Sequence, residues 1–224
     1  MLEANKSAWF EKIFAVYNRN FIKRRFHSLH VSGLDLFCRK NPAIPLIIYA
    51  NHSTWWDGLI IFEICRKANF DFFVMMEEKQ LKNLFLFRKL GAFSVVRENP
   101  RKAIESINYA AGLLKNPRRT LLIFPQGEIL PNDLRPLNFY NGLSRIIEKS
   151  GKVFAAPLAI RYEFLGEFKP QIFVKISSFE LIKADKSFDS KKLTESNSNR
   201  LTNLLDELKT DIINKNFSHY EQII

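Results

Sequence analysis

"IPLIIYANHSTWWDG", residues 44–58, joins a continuous apolar run to a histidine, two tryptophans and an aspartate. The first half, residues 44–50, opens near Pro45 and holds no polar alternation. That is the pattern of a strand buried on both faces, as in a parallel sheet covered by helices. The second half opens "STWWDGLIIFEICRKA", which has helical character with Ser53 or Thr54 as the expected cap. A strand followed at once by a helix is half of a βαβ unit, and the junction between them carries His52 and Asp57. Two readings of that junction stand side by side. One is a capped helix start beside a core histidine. The other is a general base oriented by its own carboxylate.

Similar units recur along the chain. "FDFFVMM" (70–76), "GAFSVVR" (91–97) and "RTLLIFPQGE" (119–128) read as further strands. Helical segments are expected at "EEKQLKNLFLFRKLG" (77–91), at 100–116 behind Pro100, and at "NGLSRIIEKS" (141–150). "KVFAAPLAIRYEF" (152–164) and "QIFVKISSF" (171–179) add two strands. The polar stretch 183–200 reads as loop, and "LTNLLDELKTDII" (201–213) as an amphipathic closing helix. Alternation of this kind predicts an α/β fold, a single domain with a mostly parallel central sheet flanked by helices.

Residues 6–25 stand apart. Trp9, Phe10, Ile13, Phe14, Tyr17 and Phe21 recur at helical spacing, with Lys6, Lys12, Arg19, Lys23, Arg24 and Arg25 on the other face. Rings opposite cations suit the interface of an anionic membrane; a helix packed on the domain with its basic face solvated fits as well. The expected organisation is an amphipathic N-terminal helical segment over 1–30 and an α/β domain over 31–224.

Composition narrows the class. The 224 residues suffice for one substantial domain, and 46% hydrophobic content belongs to a folded chain. A formal net charge of +11 suits anionic lipid, an anionic substrate or nucleic acid. The last is disfavoured, because no RNA-binding aromatic-and-basic motif or helix-turn-helix is present. Cys38 and Cys65 show no metal or redox spacing and suggest a reducing compartment. His52 and Asp57 do not match zinc spacings, so no metal is expected. No run approaches the ~18 apolar residues of a spanning helix, and no secretory signal pattern opens the chain. The expected location is peripheral, on the cytoplasmic side of a membrane.

Three strand ends carry polar groups: His52 after the first, Arg97 after the third, and the turn of Gln126 and Glu128 after the fourth. In a parallel sheet these ends share one rim, where ligands bind. Glu77, Glu78 and His27 read as structural or solvated, and His30 and His219 show no partner in the sequence.

In order, the blocks "NHSTWWD", "GAFSVVR", "FPQGE" and "FAAPLAI" resemble those of the glycerolipid acyltransferases, the group that includes lysophosphatidate acyltransferase, from about residue 30 to 177. The resemblance implies an enzyme that moves a fatty acyl group from a thioester, acyl-CoA or acyl-carrier protein, to a hydroxyl of a lysophospholipid or other lipid-like acceptor. No cofactor is implied beyond that co-substrate. His52 would be the base and Asp57 its orienter. Arg97 would contact an anionic headgroup, and Phe124, Pro125, Gln126, Gly127 and Glu128 would shape the acceptor site. Candidate oxyanion donors are backbone N–H groups near Ser53 or Gly127.

Two departures concern the acceptor. Gln126 stands where the family has Glu, and Glu128 where it has Thr. Arg135 arrives late, and Tyr140 and Asn141 replace the usual lysines. A non-catalytic lipid-surface binding protein with the same fold is the alternative these changes leave open.

Overall fold

Leu46–Ala50 is buried along its whole length and runs through the middle of a nine-stranded sheet. The computed structural model describes residues 1–38, 41 and 43–224. In chain order the elements are α1 (Ala8–Arg25), β1 (Leu29–Ser32), α2 (Leu34–Cys38), β2 (Leu46–Ala50), α3 (Asp57–Lys67), β3 (Asp71–Glu77), α4 (Glu78–Asn83) and β4 (Ala92–Val95). They continue with α5 (Pro100–Leu113), β5 (Arg119–Ile123), α6 (Gly142–Ser150), β6 (Lys152–Glu163), β7 (Gln171–Ile176), β8 (Glu180–Lys183), α7 (Ser190–Ile213) and β9 (Glu221–Gln222).

The strand order is β4-β3-β5-β2-β6-β7-β1-β9, with β8 beside β6. From β4 across to β6 every neighbouring pair is parallel. β7 is antiparallel to β6, and β1 is parallel to β7. The α/β reading with a mostly parallel sheet therefore holds. Because β2, β3, β4 and β5 all run one way, their carboxyl ends share one edge. Residues following Ala50, Glu77, Val95 and Ile123 are thereby brought together. Apolar clusters cover both faces of the sheet: one includes Leu46, Ile48, Ile60 and Ile64, the other Ile47, Tyr49, Leu121 and Leu205.

α1 begins at Ser7, whose hydroxyl accepts the Phe10 N–H. Its inner face is docked on α3: Asn18 donates to the Leu59 carbonyl at 3.1 Å, and Arg19 pairs with Glu63 at 2.8 Å. Phe14 meets Phe62 edge-on at 5.5 Å. The outer stripe of Trp9, Ile13, Val16 and Tyr17 is exposed. The helix is thus both packed on the domain and bare along one apolar line.

Several expectations need correction. α3 starts at Asp57 rather than at Ser53 or Thr54, because the Asp57 side chain turns back to accept the N–H groups of the preceding turn. The helix expected over 77–91 breaks at Leu84 into α4 and a 3-10 turn, Phe85–Leu90. Gly91 ends that turn at φ +102, where an added Cβ would strike the Phe72 carbonyl oxygen. The strand expected over 171–179 stops at Ile176.

The stretch 183–200 is not loop throughout. α7 opens at Ser190 under an Asp189 cap that accepts the N–H groups of Lys191 and Lys192 at 2.9 and 3.1 Å. Tertiary contacts outweigh its polar composition: Ser144 and Thr194 hydroxyls lie 2.6 Å apart, and Ser198 donates to the Leu137 carbonyl. His30 and His219 also have partners, Ser28 at 2.8 Å and Asp211 at 3.3 Å. Cys65 is buried in the core, while the Cys38 side chain lies outside the described residues.

Candidate active site

His52 follows β2 directly, so the end of a buried strand fixes its backbone. Its N–H donates to the Gln126 side-chain oxygen at 3.0 Å, and its carbonyl accepts the Leu130 N–H at 2.8 Å. The imidazole stacks on Phe124, ring centroids 4.2 Å apart and planes 19° from parallel. Its Nδ1 lies 2.9 Å from Asp57 Oδ2.

Asp57 has no exposed side-chain surface, so its charge needs hydrogen bonds. Oδ2 also accepts the N–H groups of Ser53 at 2.7 Å and Thr54 at 2.9 Å. Oδ1 accepts the Tyr162 hydroxyl at 2.6 Å. Burial, then the Asp57 charge, pushes that hydroxyl well above its ordinary value, so it remains a donor. Every other group around Asp57 is a donor. In the neutral ring the proton facing Asp57 is therefore carried on Nδ1, which leaves the lone pair on Nε2. A neutral imidazole with a free Nε2, backed by a buried carboxylate, is equipped to take a proton from a hydroxyl.

His52 faces a cavity of about 620 Å³, within the range of small-ligand sites. Its wall is largely apolar: Phe14, Leu59, Phe62, Val74, Phe87 and Ile107 are among the lining side chains. The polar part comes from the strand ends. Arg97 lies with its guanidinium carbon 5.5 Å from the Tyr140 ring centre. Gly127, at φ +74, leaves no room for a Cβ: one there would meet Arg97 Nη1 and the Tyr140 ring. Glycine is favoured by that backbone angle, and any Cβ there would also have to displace the Arg97 guanidinium.

A family model described as acyltransferase matches residues 28–161, which contain the dyad, Arg97, the turn at 124–128 and most of β6. The chain belongs to the acyltransferase family.

A 1-acyl-sn-glycerol-3-phosphate acyltransferase of Streptococcus pneumoniae is 33% identical over 116 residues, which cover 50% of this chain and 40% of that protein. The chain thus matches less than half the length of that curated relative. The crystal structure of the 1-acyl-sn-glycerophosphate acyltransferase PlsC from Thermotoga maritima shares the fold. Its TM-score is 0.64 at 18% identity, covering 89% of this chain and 80% of that one.

In this member of the acyltransferase family the sequence-derived site residues divide. His52, Arg97, Phe124, Pro125, Gly127 and Glu128 line the cavity, and Asp57 stands behind His52. Gln126 does not line it. The residue is 3% exposed, and its side chain holds the His52 backbone from outside the cavity. A carboxamide oxygen accepts that N–H as a carboxylate oxygen would, so the change from Glu removes no acceptor there.

Of the backbone groups around the two candidate oxyanion positions, the Ser53 N–H is engaged on Asp57 and the Gly127 N–H on the Phe124 carbonyl at 3.0 Å. Arg135 is not among the residues that line the cavity. Its guanidinium donates to the Asn132 carbonyl and to Asp206 on α7. Tyr162 is a partner of Asp57 that the sequence did not reveal, because it lies 105 residues away. Among the described residues, no group of three or more His, Cys, Asp or Glu side chains is placed to hold a metal ion.

Proposed function

We propose that this acyltransferase moves a fatty acyl group from an acyl-CoA or acyl-carrier-protein thioester to a hydroxyl of a lysophospholipid or another lipid-like acceptor. The observation that carries the reading is the His52–Asp57 pair at 2.9 Å, with Nε2 free, on the wall of an apolar cavity. His52 Nε2 takes the acceptor's hydroxyl proton as the oxygen attacks the thioester carbonyl. The carbon–sulfur bond breaks, and the imidazolium returns the proton to the departing thiolate. Asp57 stabilises the imidazolium between those steps. The apolar wall receives the acyl chain, and burying each methylene contributes about 0.8 kcal/mol.

The proposed reaction takes place at an anionic membrane surface. The bare line of Trp9, Ile13, Val16 and Tyr17 is exposed, as are Trp55, which lines the cavity, and Phe85 and Leu86, which lie between the cavity-lining Leu84 and Phe87. Lys23, Arg24 and Arg25 close the same helix. No helix among the described residues is long and apolar enough to cross a membrane.

The test is to incubate the protein with palmitoyl-CoA or palmitoyl-carrier protein and a panel of lysolipids, and to identify products by mass spectrometry. Acceptor-dependent acylated product is expected. Its absence across the panel with both donors would overturn transfer in favour of lipid binding alone.

A further inference from the structure

The charges on the cavity wall define a class of acceptor. Among the described residues lining it, the acidic and basic side chains are His52, Glu77, Arg97 and Glu128, with the Tyr140 phenol beside Arg97. Arg97 is the permanent cation, set between Tyr140 and Gly127. Glu77 ends β3 opposite Val95, two residues before Arg97, and so stands on the same edge of the sheet. Glu128 follows Gly127 directly in the turn that touches the guanidinium. Asp57 adds a third carboxylate behind His52. Among the described residues no lysine lines the cavity, and Arg135 is committed to Asn132 and Asp206.

A phosphate monoester carries about −1.5 to −2 charge near neutrality and binds best where several cations or N–H donors converge. Here one guanidinium, the amides of Gln80, Asn83 and Asn141 and the start of α6 at Gly142 share the wall with two carboxylates, Glu77 and Glu128, so full positive charge comes from Arg97 while two negative charges offset it. The net charge of +11 is spread over the whole chain. It is screened beyond about 8 Å in physiological salt, so the near groups decide.

From this we infer that the acceptor's headgroup carries no net charge, and that phosphate monoesters are disfavoured. A zwitterionic phosphodiester would place its phosphate on Arg97 and its cation toward Glu128. A neutral hydroxylated head would donate to Glu128 and accept from Arg97. In either case the acceptor differs from the 1-acyl-sn-glycerol-3-phosphate named for the streptococcal relative. The inference takes the identity of this ligand as an acceptor from the transfer reading above.

Binding without a thioester tests it apart from catalysis. Lysophosphatidate, lysophosphatidylcholine and monoacylglycerol with one common acyl chain are titrated into the protein below their aggregation concentrations. The dianion is expected to bind at least about tenfold more weakly than the better of the other two, and which of those binds more tightly identifies the headgroup. Glu128→Lys is expected to tighten lysophosphatidate at least about tenfold relative to wild type and to weaken the choline ester. Tightest wild-type binding by lysophosphatidate, or an unchanged order in Glu128→Lys, would overturn the inference. If an acceptor binds in the expected order but releases no thiol once a thioester is added, the transfer reading fails while the headgroup class stands.

Discussion

Replacing Asp57 by asparagine separates the charge of the dyad from its geometry. Oδ2 accepts three N–H groups, from His52, Ser53 and Thr54, whereas Oδ1 accepts the Tyr162 hydroxyl. Backbone N–H groups cannot accept, so an asparagine at 57 must turn its oxygen toward them and its NH2 toward Tyr162. The tyrosine hydroxyl can rotate to accept. His52 then still donates through Nδ1, and the tautomer is preserved. What disappears is the negative charge opposing the imidazolium. With charge centres about 4 Å apart and an effective dielectric near 20, that attraction is worth roughly 4 kcal/mol. A barrier raised by that amount lowers kcat by about 10²–10³-fold.

The assay is acceptor-dependent thiol release, with circular dichroism and a thermal melt to confirm the fold. Asp57→Ala provides the contrast. It strands the buried Ser53 and Thr54 N–H groups and the Tyr162 hydroxyl, at about 1–3 kcal/mol each, so it should destabilise the fold itself. If Asp57→Asn stays folded and within about threefold of wild type, the charge does not assist the base and the reasoning is refuted.

Tyr162→Phe removes the Oδ1 donor while Ser53 and Thr54 still hold the carboxylate. It should cost about 1.5–3 kcal/mol of stability and lower kcat about 3–30-fold with KM unchanged; a change confined to KM would place Tyr162 in binding instead. Gln126→Ala leaves the His52 N–H without its acceptor and should destabilise by about 1–3 kcal/mol, whereas Gln126→Glu should melt and turn over like wild type. Hydrogen bonds from Arg161 and then Lys209 lower the Asp133 carboxyl to about 2. Because the folded value is depressed, this stabilisation is present above about pH 4 and is lost as pH falls toward 2. Asp133 is 58% exposed, so after screening it amounts to on the order of 1 kcal/mol. Acid melts of Asp133→Asn should be flatter than wild type over that window, and parallel curves would exclude the contribution.

The parallel half of the sheet could be read from sequence because its strands are buried on both faces. Leu46–Ala50 and Leu121–Ile123 are continuous apolar runs, and such runs have few alternatives in a chain of this type. β1 and β9 escaped because four and two residues are too short to display any period. The start of α7 escaped for a different reason. Its buried residue in the first ten is Asn197, and its ties to Ser144 and Leu137 are remote in sequence.

The site divides in the same way. His52 and Asp57 lie five residues apart across one strand-to-helix junction, so their spacing showed in the sequence. Gln126 sits in a recognisable turn, but only the fold shows that it faces His52 rather than the cavity. Tyr162 reaches Asp57 from the far end of β6, and no local pattern could have shown it.

The most direct measurement is acceptor-dependent thiol release by His52→Ala, compared with wild type at matched melting temperature. His52 is 19% exposed and stacks on Phe124, so the truncated protein should remain folded. With Nε2 as the base, release falls to the rate seen without protein. Release at or near the wild-type rate in a folded His52→Ala protein would contradict the account.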